Sequence, residues 1–360
     1  MNFLKKKFKD KKVLITGHTG FKGSWLSFWL TNLGAKVLGI SDNYITKPSL
    51  FSLLKLKKKI VHRNFDLLNY KKVKKEIIKF KPDFIFHLAA QAIVKKSYIN
   101  PKKTYETNSF GTLNLLESLR FLNKKCNVVI ITSDKSYRNV EKKEGYVETD
   151  VLGGDDPYSA SKAAAEMIIR SYINCFFKNK KNLSIAVARA GNVIGGGDWS
   201  PNRIVPDCIK TWSQNRKAII RNPKSTRPWQ HVFEVLGGYI ILSVFLDKKK
   251  KFINNEVFNF GPNNNQIKSV LDLVKEMRKN WPRVKWKVKK NSNFFEHKLL
   301  KLNSSKIRRI INWRCILSFK ETVYLTSDWY KTFYKNKKKI ILKSTNQLKD
   351  YQSKLEKIYF

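Results

Sequence analysis

A glycine-rich turn near the start of the chain constrains the fold more than any other feature. Residues 13–16 are apolar and predict a short buried strand, residues 17–23 (GHTGFKG) follow directly, and residues 24–32 predict a helix. Glycines between a strand and a helix allow a tight turn and let the backbone approach a pyrophosphate. The helix N-terminus adds amide donors and the positive end of a dipole. The turn therefore predicts a dinucleotide site, whose residues are Gly17, Thr19, Gly20, Phe21, Lys22 and Gly23.

The nature of the dinucleotide is indicated by the next segment. The spacing Gly-x-x-Gly-x-x-Gly is not the commoner Gly-x-Gly-x-x-Gly fingerprint, and a glycine-rich turn without function is the alternative. Residues 36–40 predict a second strand that leads to Asp42, about 20 residues beyond the glycines, where an acidic residue accepts hydrogen bonds from an adenosine ribose. Since no arginine adjoins Asp42 to receive a 2′-phosphate, we expect NAD rather than NADP; a solvated loop carboxylate is the alternative.

Strands and helices then alternate along the chain. The predicted strands are residues 60–65, 84–91, 127–132, 183–188 and 256–260, and the predicted helices are residues 70–80, 104–121 and 158–177. Such alternation is typical of an α/β fold with a parallel, doubly wound Rossmann-type sheet. The residues directly after the third strand and at the end of the fourth would lie beside the cofactor. They are Asp66, Leu67, Leu88, Ala89 and Ala90, and His87 before them is predicted to be a core histidine.

The pattern changes beyond residue 193, where irregular segments contain many glycines and tryptophans. A chain of 360 residues suggests about two structural units. We predict that residues 1–193, rejoined by residues 228–260, form the NAD-binding domain. Residues 194–227 and 261–360 would form a smaller C-terminal substrate-binding domain.

Groups suited to proton transfer follow one of the core strands. Residues 128–131 are apolar and lead directly into Ser133, Asp134 and Lys135. Open α/β sheets bind ligands at this end of their strands. The helix that follows places Tyr158 and Lys162 four residues apart on one face. Because a positive charge beside a phenol favours phenolate, we expect Lys162 to lower the pKa of Tyr158 and let it remove a hydroxyl proton.

Charge and cysteine pattern bear on the class of protein. The formal net charge of +46 would attract nucleic acid, so a polyanion-binding protein is an alternative from a different class. The lysines are spread along the whole chain, however, and we interpret most of the charge as a solvated surface. Scattered cysteines and histidines predict a reducing compartment and no metal. The N-terminus lacks a signal-peptide pattern and the longest apolar run is too short to span a bilayer, so we expect a cytoplasmic protein.

Several of these stretches together resemble the extended short-chain dehydrogenase/reductase family, and within it the nucleotide-sugar 4,6-dehydratases. The matching stretches are residues 17–26 (GHTGFKGSWL), 132–137 (TSDKSY), 156–166 (DPYSASKAAAE), 188–199 (ARAGNVIGGGDW) and 226–232 (TRPWQHV). The likeness runs from about residue 11 to at least residue 261 and thins beyond it. In combination these stretches are far more specific than a Tyr-x-x-x-Lys pair, which a lysine-rich chain produces by chance.

The resemblance implies dehydration of CDP-glucose with NAD used and regenerated in one turnover. Tyr158 would take the proton of the sugar 4-hydroxyl, Lys162 would hold the nicotinamide ribose, and Ser133 would hydrogen-bond the 4-oxygen. Asp134 would protonate the departing 6-hydroxyl if burial raises its pKa. Lys135 stands where related dTDP-sugar dehydratases carry a glutamate. It would act as the base only when neutral, or would instead pair electrostatically with Asp134.

The resemblance also implies which residues hold the nucleotide end of the substrate and which helices join two subunits. A guanidinium binds phosphate oxygens in a bidentate way, so we expect Arg227 at the diphosphate and Arg203 as a second candidate; a place on the basic surface is the alternative for either. The full set of predicted substrate contacts is Gln91, Asn192, Arg203 and Arg227. The family commonly pairs subunits through two helices each, which implies a homodimer through residues 104–121 and 158–177.

Two enzyme alternatives remain open, a nucleotide-sugar 4-epimerase and a dehydratase for another nucleotide sugar. Epimerases need no acid to expel water from C6. The pair of Asp134 and Lys135 therefore favours dehydration.

Overall fold

A seven-stranded parallel sheet forms the centre of the molecule. The computed structural model describes residues 2–44, 46–248, 250–262, 267–281, 284–289 and 299–360. Its strands are β1 (Lys12–Thr16), β2 (Lys36–Ser41), β3 (Val61–Asn64), β4 (Phe84–His87), β5 (Cys126–Ile131), β6 (Leu183–Ala190), β7 (Val193–Ile194), β8 (Ala218–Ile220), β9 (Thr226–Pro228), β10 (Gln230–His231), β11 (Glu256–Phe260), β12 (Ile267–Ser269) and β13 (Trp286–Val288). The sheet has the order β11-β6-β5-β4-β1-β2-β3, which confirms the predicted doubly wound α/β fold.

Helices cover both faces of this sheet. They are α1 (Phe3–Phe8), α2 (Phe21–Asn32), α3 (Leu50–Leu53), α4 (Tyr70–Phe80), α5 (Val94–Ile99), α6 (Pro101–Tyr105), α7 (Gly111–Arg120), α8 (Pro157–Tyr172), α9 (Ile204–Trp212), α10 (Val232–Lys248), α11 (Lys250–Ile253), α12 (Val270–Asn280), α13 (Ser305–Ile311), α14 (Phe319–Lys335) and α15 (Ile340–Tyr359). Within the described part of the chain, no helix combines the length and the apolar character that crossing a membrane would require.

The strands are buried on both faces because side chains alternate between two cores. In β1, Val13 and Ile15 join the hydrophobic cluster that includes side chains of α2, α10 and α15. Leu14, between them, joins the opposite cluster, to which α4, α7 and α8 contribute. A parallel strand covered on both faces must be apolar at successive positions, which is why these strands appear in the sequence as unbroken apolar runs.

Smaller sheets stand apart from the central one. Strand β8 pairs in parallel with β13, and β9 pairs antiparallel with β12. Helix α15 packs against α10, where the Tyr351 hydroxyl donates to Glu234 at 2.9 Å. The division of the chain into a cofactor domain and a substrate domain stays a prediction.

The predicted elements differ from the observed ones mainly at their ends. Helix α4 and strand β11 have the predicted bounds. The predicted helix 104–121 starts earlier, at Pro101, and contains a π-helical turn over Glu106–Phe110. The predicted strand 84–91 ends at His87, because the next residues bend away to hydrogen-bond Thr16 from the amides of Leu88 and Ala89.

His87 is a core histidine, as predicted. Its ring nitrogens lie 2.7 Å from the Thr16 hydroxyl and 3.0 Å from the Thr112 hydroxyl. Burial lowers the pKa of His87 to about 3, so the ring stays neutral.

A buried ion pair joins β5, β6 and α8. The Arg189 guanidinium donates to both carboxylate oxygens of Glu166, at 2.7 and 2.5 Å, and both side chains are 3% exposed. The same carboxylate accepts from the hydroxyls of Thr132 and Ser136, which flank the end of β5. Arg189 also donates to the Tyr137 hydroxyl at 2.6 Å. This network fixes the end of β5 against the helix that carries Tyr158 and Lys162.

Removing the guanidinium should destabilise the fold strongly. Arg189→Met leaves the Glu166 carboxylate buried without a cation, and we expect the free energy of unfolding to fall by about 3–5 kcal/mol, measured by urea denaturation. The control is Lys354→Met, whose partner Glu321 lies in an exposed pair, where the expected loss is below about 1 kcal/mol. Equal losses in the two variants would contradict this account of the ion pair.

Candidate active site

The glycine turn after β1 leaves no room for side chains at two positions. Gly17 has φ +74°, and a methyl group there would lie 2.8 Å from the Cα of Ala89. A methyl group on Gly23 would lie 2.1 Å from the Gly17 carbonyl oxygen. Helix α2 begins at Phe21 with Gly20 as its N-cap, so no capping side chain covers the first amides of the helix. At its glycines the turn has no side chains that would keep a ligand away from its backbone, and the first amides of the helix are uncovered. Both features suit the pyrophosphate of a dinucleotide.

The turn opens into one large cavity along the carboxyl ends of the strands. Its volume is about 1890 Å³, whereas a single small-molecule site typically occupies about 300–1,000 Å³, so it can hold two large ligands. All predicted site residues except Thr19 line it: Gly17, Gly20, Phe21, Lys22, Gly23, Asp42, Asp66, Leu67, Leu88, Ala89, Ala90, Gln91, Ser133, Asp134, Lys135, Tyr158, Lys162, Asn192, Arg203 and Arg227. Thr19 instead ties the turn to the end of β2, since its hydroxyl lies 2.7 Å from both the Ser41 hydroxyl and the Asn43 carbonyl oxygen.

The end of the cavity near β2 and β3 carries the predicted adenosine contacts. Asp42 follows β2, and Asp66 follows β3 at the same edge of the sheet. Asp66 forms an ion pair with Lys103 of α6 at 2.6 Å, and its carboxylate raises the pKa of Lys103. The sequence analysis missed Lys103, which stands 37 positions from Asp66 in a chain rich in lysine. Because a partner cation already engages Asp66, Asp42 is the better placed of the two for a ribose.

The proton-transfer groups meet where β5 ends and α8 begins. Asp156 caps α8 by accepting from the amides of Tyr158 and Ser159, both at 3.0 Å. This cap fixes the first turn of the helix, and Tyr158 is thereby held beside the short 3₁₀ turn after β5. The Ser133 hydroxyl donates to Asp134 at 2.9 Å and lies close enough to Tyr158 to act on the pKa of its phenol.

The expected lowering of the Tyr158 pKa by Lys162 is wrong. Burial raises the pKa of the phenol to about 12, with the Ser133 hydrogen bond as the largest opposing influence. Arg203, which the sequence analysis placed only at the substrate, is the cation that opposes the rise. Burial also lowers the pKa of Lys162 to about 8, although Glu166 one helical turn further along raises it. Desolvation outweighs the neighbouring charge at both residues.

Asp134 has the property that a general acid requires. The side chain is buried, and burial raises the pKa of its carboxyl group, against the opposing effect of Lys135 and of the Ser133 hydrogen bond. A raised pKa keeps a carboxyl group protonated closer to neutral pH. Lys135 is half-buried in the same cavity wall, and its amide donates to the Ser133 hydroxyl at 3.2 Å.

Another part of the cavity wall is basic. Arg203 pairs with Asp198 at 2.8 Å, and Arg227 donates to the Thr226 carbonyl oxygen. Further cations of this wall, missed because isolated lysines and arginines carry no pattern, are Lys210, Arg216, Lys217, Arg221 and Lys289. Gln91 also lines the cavity, but its amide is engaged by Ile93 and Thr104. Five added cations make this wall suited to a ligand with several phosphates.

Comparisons with known proteins agree with this geometry. The chain matches the model of the GDP-mannose 4,6-dehydratase family over residues 14–326. It is 40% identical over 352 residues to the CDP-glucose 4,6-dehydratase of Salmonella typhimurium, covering 96% of this chain and 97% of the relative. The UDP-glucuronic acid 4-epimerase of Bacillus cereus has a TM-score of 0.75 at 24% identity over 90% of this chain and 100% of that chain. For the dTDP-glucose 4,6-dehydratase of Bacillus anthracis in complex with NAD, the TM-score is 0.73 at 21% identity over 89% and 97%.

The close packing at Gly23 can be tested with a matched pair of substitutions. Gly23→Ala should weaken NAD binding at least about tenfold, because the backbone of the turn must shift to admit the methyl group. Gly111→Ala, also within a helix, should bind NAD as the unchanged protein does, since its methyl group would meet Leu67 at an ordinary 3.5 Å. Isothermal titration calorimetry with NAD gives both affinities. An unaltered affinity in Gly23→Ala would remove the turn from the cofactor site.

Proposed function

The chain belongs to the GDP-mannose 4,6-dehydratase family, and from that premise we propose that it converts CDP-glucose to CDP-4-dehydro-6-deoxyglucose and water. The observation that carries this proposal is the meeting of Ser133, Asp134, Tyr158 and Lys162 at one end of a cavity large enough for a dinucleotide and a nucleotide sugar. The choice of CDP-glucose rests on the relative that is 40% identical over almost the whole of both chains.

The cofactor of the proposed reaction is NAD. The glycine turn and the start of α2 would hold its pyrophosphate, Asp42 its adenosine ribose, and Lys162 the ribose beside the reacting ring. Bound there, NAD would supply the redox chemistry, as the acceptor of a hydride from sugar C4 that is later returned to C6. Leu88, Ala89 and Ala90 would also contact NAD, because the backbone there passes close to the glycine turn.

Oxidation at C4 requires a group that removes the 4-hydroxyl proton. Tyr158 takes that role, because its phenol is buried beside Ser133, which would hydrogen-bond the same sugar oxygen. Burial raises the pKa of this phenol to about 12. Its phenolate form therefore accepts a proton readily, and the phenol releases that proton with difficulty. The positive charge of Arg203 in the same cavity opposes that rise and so favours the phenolate that accepts the proton.

Elimination across C5 and C6 requires a base and an acid. The 4-ketone makes the C5 hydrogen acidic, and removal of that proton with protonation of the 6-hydroxyl releases water and leaves a C5–C6 double bond. Asp134 supplies the proton to the hydroxyl, since its buried carboxyl group has a raised pKa. Lys135 on the same turn, in its neutral form, is the proposed base, and it would return the proton to C5 when the hydride is transferred to C6. Arg227 and Arg203, with Asn192 and Gln91, are proposed to hold the diphosphate and sugar.

The test is turnover of defined nucleotide sugars by the purified protein with NAD. CDP-glucose should give a 4-keto-6-deoxy product, detected by its ultraviolet band in alkali and by mass spectrometry. Tyr158→Phe should lower kcat at least about 100-fold while leaving NAD affinity unchanged, since it removes only the proton acceptor. Appearance of an epimer alone, or activity confined to dTDP-glucose or GDP-mannose, would overturn the proposal. Unchanged kcat in Tyr158→Phe would remove this phenol from the mechanism.

A homodimer is also proposed, through the helical segments that include α7 and α8. Their outer faces expose large apolar side chains, among them Phe110 at 53% and Met167 at 55%. Large apolar side chains left exposed on neighbouring helices are typical of a surface that a partner covers. Analytical ultracentrifugation should show twice the mass of one chain, and Phe110→Asp with Met167→Asp should dissociate the dimer. Phe252→Asp, at a similarly exposed position on α11, should not, and a monomeric unchanged protein would contradict the proposal.

A further inference from the structure

The turn that joins α14 to α15 is an exposed and strongly basic part of the surface. Residues 334–339 are exposed one after another, and four of these six residues are Lys335, Lys337, Lys338 and Lys339. Residues 329–349 contain seven lysines and no aspartate or glutamate. We refer to residues 334–342 as the basic tip.

The acidic residue nearest in the chain does not offset this charge. Asp328 already accepts from the Lys343 ammonium group at 2.9 Å and from the Gln347 amide at 3.2 Å. Within the described ranges of the chain, no carboxylate pairs with any of the four lysines of residues 335–339. Their charges therefore act together toward solvent.

The basic tip has a fixed shape that does not require lysines. The Asn336 side chain accepts from the Lys338 amide at 3.1 Å and so caps a 3₁₀ turn over Lys337–Lys339. Behind the turn, the Trp329 indole donates to the Ser344 hydroxyl at 2.8 Å and joins the two helices. The turn leads into the N-terminus of α15, where positive charge opposes the helix dipole. Exposed lysines at a locally unfavourable place indicate a function outside the fold.

Apolar side chains flank these lysines. Tyr334, the penultimate residue of α14, is 40% exposed, and Leu342, the third residue of α15, is 62% exposed. Lysines combined with exposed apolar side chains suit the surface of an anionic bilayer, because the apolar groups enter the boundary between headgroups and acyl chains while the ammonium groups attract the lipid phosphates. A nucleic acid would attract the same charges but would gain little from an aliphatic side chain such as Leu342.

We propose that the basic tip docks this protein onto a membrane surface that contains anionic phospholipid. The charge of the tip is complementary to that surface, and its two exposed apolar side chains supply the part of the contact that salt does not screen. The described lining of the cavity contains no residue of the tip, so a docked molecule would keep the cavity open to its ligands. The inference does not depend on the reaction proposed above.

The test is co-sedimentation of the purified full chain with lipid vesicles. Vesicles of phosphatidylcholine with about 30% phosphatidylglycerol should bind the protein at about 0.15 M salt, and vesicles of phosphatidylcholine alone should not. The fourfold variant Lys335→Gln, Lys337→Gln, Lys338→Gln and Lys339→Gln should bind at least about 100-fold more weakly, since each lysine near an anionic bilayer contributes roughly fivefold.

Helix α4 provides the matched control for charge. Its apolar residues Val73 and Ile77 are buried in the core. Its exposed lysines are Lys71, Lys72, Lys75 and Lys79. Replacing these four lysines by glutamine removes the same charge and should change vesicle affinity by less than about threefold, because charges that stay away from the bilayer are screened by salt.

The apolar part of the contact has its own control. Tyr334→Ser together with Leu342→Ser should weaken vesicle binding about tenfold, because both side chains lose their apolar contact with lipid. Tyr324→Ser lies ten residues before Tyr334 on α14, at a position that is 53% exposed, and should leave the affinity unchanged.

Several outcomes would overturn the inference. Equal losses in the α4 and tip variants would show that the total charge of the chain binds the lipid, and absence of binding to the anionic vesicles would exclude docking. A labelled single-stranded RNA that binds more tightly than the vesicles and is released by the tip substitutions would make the tip a nucleic-acid surface instead.

Vesicle binding is measured without turnover, so failure of the unchanged protein to dehydrate CDP-glucose would overturn the proposed function alone. The tip variants should keep the Tm and the kcat of the unchanged protein, which verifies their fold. Should the fourfold variant not fold, Lys337→Gln with Lys338→Gln is compared with Lys71→Gln and Lys72→Gln in the same assay.

Discussion

The buried pair of Glu166 and Arg189 is the interaction on which the active centre depends. Its two charges join α8 to β6, and the spare hydrogen-bonding capacity of the carboxylate binds the hydroxyls of Thr132 and Ser136 on either side of the catalytic turn. A buried ion pair costs much desolvation energy and is tolerated where its hydrogen bonds are complete. Here those hydrogen bonds hold the turn after β5 against the helix that carries Tyr158.

Desolvation sets the chemistry of the groups held in this way. Burial raises the pKa of Asp134 and brings that of Tyr158 to about 12, and it lowers the pKa of Lys22 and of Lys162 to about 8. Each shift favours the neutral form of its group. The charges of neighbouring groups oppose these shifts in part, as Lys22 does for Asp134, so the protonation of the site is a balance between burial and pairing. Bound phosphates and a charged cofactor ring would act on the same balance.

The positive charge of this chain acts differently on the surface and in the cavity. Most lysines lie on the surface, where solvent screens them. Arg203 and Lys22 instead face a partly desolvated cavity next to acidic partners or phenols, where the same charge has a stronger effect. A count of basic residues in the sequence does not distinguish the two groups. Their difference comes from burial, which only the packed structure defines.

The sequence alone determined the α/β class, the glycine turn and the residues that end the fifth strand, because strand burial and helix starts depend on short segments whose periodicity is visible in the chain. Nearly all the residues that it predicted for the site line the cavity, since the carboxyl ends of parallel strands meet at one edge. Only the tertiary structure decided which charges face one another. Asp66 is distant in the chain from Lys103, and Glu166 from Arg189. Coulomb interactions and desolvation depend on distances in space that no local pattern encodes.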